Sequence, residues 1–272
     1  MSFAAADPQA SRPSELARAL TGARRAARAL PAFPGAAPAT LAEAYDVQEA
    51  GIGLWPDAVA GWKVGRVPDA LQARLGEERL AGPIFARAVR AASNGAVDAP
   101  VFVGGFAAVE AEFVARIGTD APAGKTEFTD EEAAALVGAV HIGVETAGSP
   151  LRAINDLGPT VVAADFGNNA GLILGAEVAD WRDTLFDLTA ETFVDGVSVG
   201  RAGAASLPGG PLASLRFAAE HCARRGRPLR AGQLISTGAL TGIHEVVPGQ
   251  TARVSFGVAG EILCRAVAAE PS

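Results

Sequence analysis

Two glutamates one residue apart are the sharpest chemical feature of this chain, in Val109-Glu110-Ala111-Glu112-Phe113-Val114. In an extended segment side chains alternate between faces, so Glu110 and Glu112 would point the same way, with α-carbons about 6.5 to 7 Å apart. Val109, Ala111, Phe113, Ala115 and Ile117 fall on the opposite face, an apolar stripe suited to a core. Val114 lies on the acidic face, which is therefore not plainly solvent. Two carboxylates held there could grip a cation, which would offset the cost of burying like charges. The alternative is an edge strand with a solvated acidic face. Glu145 ends a second short apolar run, His141-Ile142-Gly143-Val144-Glu145-Thr146, and would add a third oxygen ligand. Three carboxylates suit Mg²⁺ or Mn²⁺ and suit zinc poorly. The three histidines show no ligand spacing.

Lys63 is the second candidate. Of 23 basic residues only Lys63 and Lys125 are lysines, and Lys63 sits between an aromatic, a valine and two glycines in Gly61-Trp62-Lys63-Val64-Gly65. Lysine, unlike arginine, changes protonation when desolvated and can serve as acid or base; a lysine whose amine reaches out to solvent is the alternative. Two glycine-rich stretches, Asp165 to Gly171 and Ser236 to Gly242, could bring backbone amides close to a ligand, or could be turns alone. Neither has the spacing of a dinucleotide fingerprint or a P-loop.

These residues need strands to hold them, and the sequence supplies strand patterns. Val59 to Val64, Ala107 to Ile117, Val140 to Thr146, Gln233 to Thr237, Thr251 to Phe256 and Glu261 to Val267 read as strands. Asp195-Gly196 between alternating runs predicts a hairpin over Thr189 to Gly200. Helical spacing predicts helices over Ser14 to Leu30, Thr40 to Leu54, Thr129 to Gly138 and Pro211 to Arg225, with capping-box residues at Thr40/Glu43 and Thr129/Glu132. The sum is α+β, with a helical N-terminal region over residues 1–58 and a β-rich catalytic domain over 59–272.

Composition narrows the class. The chain has 272 residues, 49% hydrophobic and 19% charged, the balance of a packed globular protein. A net charge of -7 without basic clusters argues against nucleic acid. No apolar run approaches the roughly 20 residues that cross a bilayer, and Met1 to Pro13 lacks the regions of a secretion signal. With only Cys222 and Cys264, read as buried thiols, the expected compartment is the cytoplasm.

Taken together, GWKVG (61–65), VEAEF (109–113), the VET glutamate (145), ADFGNNAGLILG (164–175), the 209–242 segment with its AGQLISTGALTG end, and the closing VSFG strand resemble the 2-keto-4-pentenoate hydratase and 4-oxalocrotonate decarboxylase group of the fumarylacetoacetate hydrolase superfamily. The resemblance runs from about Ala39 to the C-terminus. It implies a mixed β-roll core, a small helical N-terminal region and homo-oligomers built from dimers. It implies Mg²⁺ or Mn²⁺ on Glu110, Glu112 and Glu145, Lys63 as the catalytic lysine, and a small 2-oxo acid as substrate. Thr237, Gly238 and Thr241 would hold the substrate carboxylate.

The implied activity is hydration of a 2-hydroxy-2,4-dienoate or 2-keto-4-pentenoate in aromatic catabolism. The alternatives are 4-oxalocrotonate-type decarboxylation, acylpyruvate C–C hydrolysis, or a non-catalytic paralogue that stabilises a hydratase or decarboxylase partner. Two positions depart from the group: Leu80 stands where some hydratases carry an acid, and Ser149-Pro150 where the group has Ser-Arg.

Overall fold

The computed structural model describes residues 8–272. Eight helices among them are α1 (Pro8–Arg25), α2 (Leu41–Leu54), α3 (Asp69–Leu75), α4 (Asp130–Ala135), α5 (Ile154–Leu157), α6 (Pro159–Ala164), α7 (Trp181–Thr184) and α8 (Gly210–Arg224). The strands are β1 (Val59–Arg66), β2 (Arg79–Phe85), β3 (Val89–Ala91), β4 (Val97–Val101), β5 (Phe106–Ile117), β6 (Val137–Ser149) and β7 (Asn169–Glu177) in the first part. They continue with β8 (Thr189–Val194), β9 (Val197–Gly203), β10 (Leu234–Ser236), β11 (His244–Glu245), β12 (Thr251–Ser255) and β13 (Glu261–Ala268). No helix among them is long and apolar enough to cross a membrane.

The strands form two sheets. One has the order β2-β1-β10-β5-β6-β7-β3, with β11 also paired to β5; the other runs β4-β13-β12-β8-β9. Both mix parallel and antiparallel pairs, as in β1 parallel to β10 and β5 antiparallel to β6. The fold is α+β, as the patterning predicts.

β5 and β6 are the spine. Their twelve and thirteen residues pair along almost their whole length, with Glu110 opposite Glu145 and Glu112 opposite Gly143. One face of β5 sends Val109, Ala111, Phe113, Ala115 and Ile117 into the main apolar core, shared with α8 and the second sheet. The other face carries Ala108, Glu110, Glu112 and Val114, all buried. The acidic face is thus an interior surface and not a solvated edge.

β1 starts at Val59. The helices before it are not set apart, however. Leu16, Leu20, Leu41, Ala44 and Val47 share an apolar cluster with Phe106 and Ala108 of β5 and Ala147 of β6. The first helix ends at Arg25, short of the expected Leu30, because Ala27 turns into the left-handed region at φ 47°.

Candidate metal centre

The centre of the β1-β10-β5-β6 stretch brings the candidate residues together. Glu110, Glu112 and Glu145 each offer a carboxylate oxygen within 4.8 Å of the others'. Glu112 and Glu145 are fully buried and Glu110 nearly so. Glu110 and Glu145 meet because they are direct cross-strand partners, and Glu112 joins them one pleat along the same face. Gly143, opposite Glu112, has no side chain to clash with Val114, whose Cγ2 would stand 2.5 Å from a Cβ there.

Hydrogen bonding aims two of the three carboxylates, Glu112 and Glu145. Glu112 Oε2 accepts from Ser236 Oγ at 2.5 Å and from the Gly238 amide at 2.8 Å. Glu145 Oε1 accepts from Asn169 Nδ2 at 2.9 Å and faces Lys63 Nζ at 3.4 Å. The second oxygens, Glu112 Oε1 and Glu145 Oε2, are buried and have no hydrogen-bond partner.

Three buried carboxylates facing one ammonium leave negative charge uncompensated. Burial first, then the neighbouring carboxylates, pushes the Glu112 carboxyl well above its ordinary range. Glu110 is pushed up to about 7 by burial, with Lys63 opposing and Glu145 adding to the rise. For Lys63, burial would lower the pKa, but Glu145, Glu110 and Glu112 together hold the ammonium above the usual lysine range. Orphaned carboxylate oxygens converging in a buried, hard-oxygen cluster fit a divalent cation of the Mg²⁺ or Mn²⁺ type.

Through Glu110 and Lys63 the cluster borders a cavity of about 550 Å³. Leu80, Asn168, Thr237 and Gly238 also line it, while Glu112 and Glu145 are fully buried beside Glu110. Leu80 and Lys63 both border the space that a side chain at Gly65 would fill: a Cβ there would stand 3.4 Å from Leu80 Cδ1 and 3.6 Å from Lys63 Nζ. The strand register explains the meeting, since Leu80 of β2 pairs with Gly65 of β1.

The three residues expected to hold a substrate carboxylate are not equivalent. Thr237 and Gly238 border the cavity. Their donors are engaged within the chain, Thr237 Oγ1 to the Phe113 carbonyl at 2.8 Å and the Gly238 amide to Glu112. Thr241 lies off the cavity. Its hydroxyl pairs with Thr192 Oγ1 of the second sheet at 2.8 Å and with His244 Nε2 at 3.2 Å. The chain at Gly238 adopts φ 113°, a conformation that favours glycine, and this lets the segment leave β10 and curl over Glu112.

Sequence reasoning missed Ser236 and Asn169 as partners of the glutamates, and Asn168 in the wall. Asn168 and Asn169 lay within a stretch read as a glycine-rich turn, and Ser236 within another. Only strand register against the glutamates identifies them.

No family model matches the sequence, and no curated protein matches it either. Solved structures do match, and they define the class of fold before any particular likeness. This is the mixed α+β fold of the fumarylacetoacetate hydrolase type, seen in a yeast protein of that family at TM-score 0.51 and 16% identity, over 76% of this chain and 92% of that one. The chain is similar to 4-oxalocrotonate decarboxylase from Pseudomonas putida G7, solved with calcium and acetate and with magnesium and adipate. That likeness has TM-score 0.78 and 23% identity, and covers 94% of this chain and 98% of the other. It is also similar to fumarylpyruvate hydrolase from Pseudomonas aeruginosa, in complex with Mn²⁺ and pyruvate, at TM-score 0.55 and 21% identity, over 76% and 89% of the two chains.

Proposed function

We propose that the protein is a metal-dependent lyase of a small, unsaturated 2-oxo acid, and that decarboxylation of a 2-oxo-enedioate is the reaction its site suits best. The observation that carries the reading is the convergence of Glu110, Glu112 and Glu145, with two orphaned oxygens, beside Lys63, in a cluster that opens onto a cavity through Glu110 and Lys63. These three carboxylates would hold Mg²⁺ or Mn²⁺, and the bound ion would supply Lewis-acid stabilisation of the negative charge that develops on the substrate's 2-oxygen. The calcium, magnesium and manganese complexes of proteins with this fold support that assignment.

The chain's own residues do the rest. Ser236 and the Gly238 amide fix the Glu112 carboxylate in place, and Asn169 that of Glu145. Lys63 holds a proton at Nζ beside the cluster, positioned to pass it to the substrate as the enol form becomes the ketone. In decarboxylation the bond to the distal carboxylate breaks, CO₂ leaves, and the electron pair moves through the conjugated chain to the 2-oxygen.

Leu80 favours this branch over hydration. It lines the cavity with Lys63 as a buried apolar side chain, so β2 offers no acid at this position to orient an attacking water. The Pseudomonas putida decarboxylase, which this chain covers almost end to end, supports the same branch.

The test supplies 2-oxohex-3-enedioate and 2-hydroxypenta-2,4-dienoate separately with Mg²⁺. Release of CO₂ from the dioate, with the dienol left unhydrated, is expected. Loss of dienol absorbance without CO₂ release would make the enzyme a hydratase. Turnover of neither, with no metal bound, would favour a paralogue that stabilises a partner enzyme.

A further inference from the structure

Arg24 of α1 is buried, and its guanidinium spends its donors on one short stretch of chain. Nε and Nη2 clamp the Asp165 carboxylate at 2.6 and 2.9 Å. Nη2 also reaches the carbonyls of Asp165 at 3.0 Å and of Gly148, at the end of β6, at 2.9 Å. Nη1 donates to the Asn169 carbonyl at 2.8 Å. Ser149 Oγ donates to Asp165 Oδ2, completing the clamp from β6. The held segment is strained: Phe166, Gly167 and Asn168 are consecutive left-handed residues, at φ 55°, 65° and 63°. Two of them are not glycine, so the conformation needs support from outside the loop.

That support delivers three things to the metal centre. Asn169 brings Nδ2 to Glu145 Oε1. Gly167 packs against the Lys63 stem and the β2 backbone, where an added Cβ would stand 3.2 Å from Lys63 Cδ and 2.8 Å from Gly82 Cα. Asn168 lines the cavity, 3% exposed, with a buried Oδ1 that has no partner. From that wall the Asn168 amide can donate through Nδ2 to a ligand oxygen, and its Oδ1 can accept from a ligand hydroxyl such as that of an enol.

We infer that the Asp165–Asn169 loop is a working part of the site. Asn168 contributes its amide to the bound 2-oxo acid, Asn169 orients Glu145, and Arg24, from the N-terminal helix, is the positioning residue for both. The inference rests on the proposed metal-held 2-oxo acid site.

The test is calorimetric titration of the full chain with Mg²⁺, followed by oxalate into the Mg²⁺-loaded protein. Asn169→Ala should weaken Mg²⁺ binding on the order of tenfold to a hundredfold, as for residues that orient metal ligands. Asn168→Ala should leave Mg²⁺ affinity unchanged and weaken oxalate on the order of tenfold. Arg24→Met should weaken both, and Arg24→Lys should recover part of the loss, with helical circular dichroism unchanged. A folded Arg24→Met protein that keeps both affinities would overturn the inference. Should that variant not fold, wild-type affinities in both Asn168→Ala and Asn169→Ala would overturn it equally. Absence of Mg²⁺ and Mn²⁺ binding to the wild-type chain would instead sink the metal reading itself, and this inference with it.

Discussion

At the scale of single residues, the account turns on what a carboxylate does that its amide cannot. Glu110→Gln keeps the size and the backbone of β5 but removes a charge from the cluster. Metal affinity should fall by on the order of a hundredfold or more while the fold stays intact, because hard divalent cations select charged oxygen ligands. Calorimetry with Mn²⁺, alongside circular dichroism, would check both halves. Full activity of this variant without added metal would be fatal to the mechanism. Lys63→Arg keeps the positive charge opposite Glu145 but replaces a proton donor with a group that does not titrate. Its kcat should drop about 10²- to 10⁴-fold, the range typical of lost general acid–base catalysis. An unimpaired rate would remove Lys63 from that role.

At the scale of elements, the site exists because strands and a loop pass each other closely. Gly82 of β2 shows how closely: a Cβ there would stand 2.1 Å from the Phe166 carbonyl oxygen, a backbone atom that cannot swing away. Gly82→Ala should therefore destabilise the protein by about 2 to 3 kcal/mol, the scale of an overpacked interior. Thermal unfolding would show it, and an unchanged midpoint would mean that the loop is held less firmly than its contacts imply.

Much at this scale is legible in the sequence, for local reasons. Asp195 and Gly196 take φ 48° and 81°, the left-handed pair a tight hairpin demands, and β8 and β9 follow on either side. Thr129 and Glu132 form the full capping box, and Thr40 caps α2. Alternation along β5 puts Glu110 and Glu112 together without any knowledge of the fold. Other features depend on long-range pairing. β7 hides in an asparagine- and glycine-rich run, because Gly171 and Gly175 look like turn residues until Thr146 and Ile142 are seen to occupy their missing side-chain space. β2 contains Pro83, which strands tolerate at a sheet edge, where β2 lies. Thr241 faces Thr192 and not the cavity because the second sheet comes up behind it.

At the scale of the whole molecule, three buried acids are a liability to the metal-free fold. Glu110 is pushed up to about 7 from an ordinary 4.5, so between those values the folded chain binds a proton that the unfolded chain has released. Its contribution is fully present below about pH 4.5 and is lost as pH rises through about 7. The melting temperature in chelator should accordingly fall between pH 5 and pH 8, and added Mg²⁺ should raise it more at pH 8. A Mg²⁺-induced rise that is the same at both pH values would contradict the picture of protons and metal competing for one cluster.

The N-terminal helices belong to this whole and not to its margin. α1 and α2 cover β5 and β6 with apolar side chains, and Arg24 reaches from α1 to the carbonyl of Asn169, the hydrogen-bond partner of Glu145.

The most direct test of the central claim is a crystal grown with Mn²⁺ and oxalate, examined by anomalous scattering at the manganese edge. The account predicts one strong peak bonded to oxygens of Glu110, Glu112 and Glu145, with oxalate completing its coordination next to Lys63. A peak elsewhere, or the three carboxylates without metal at saturating Mn²⁺, would contradict it.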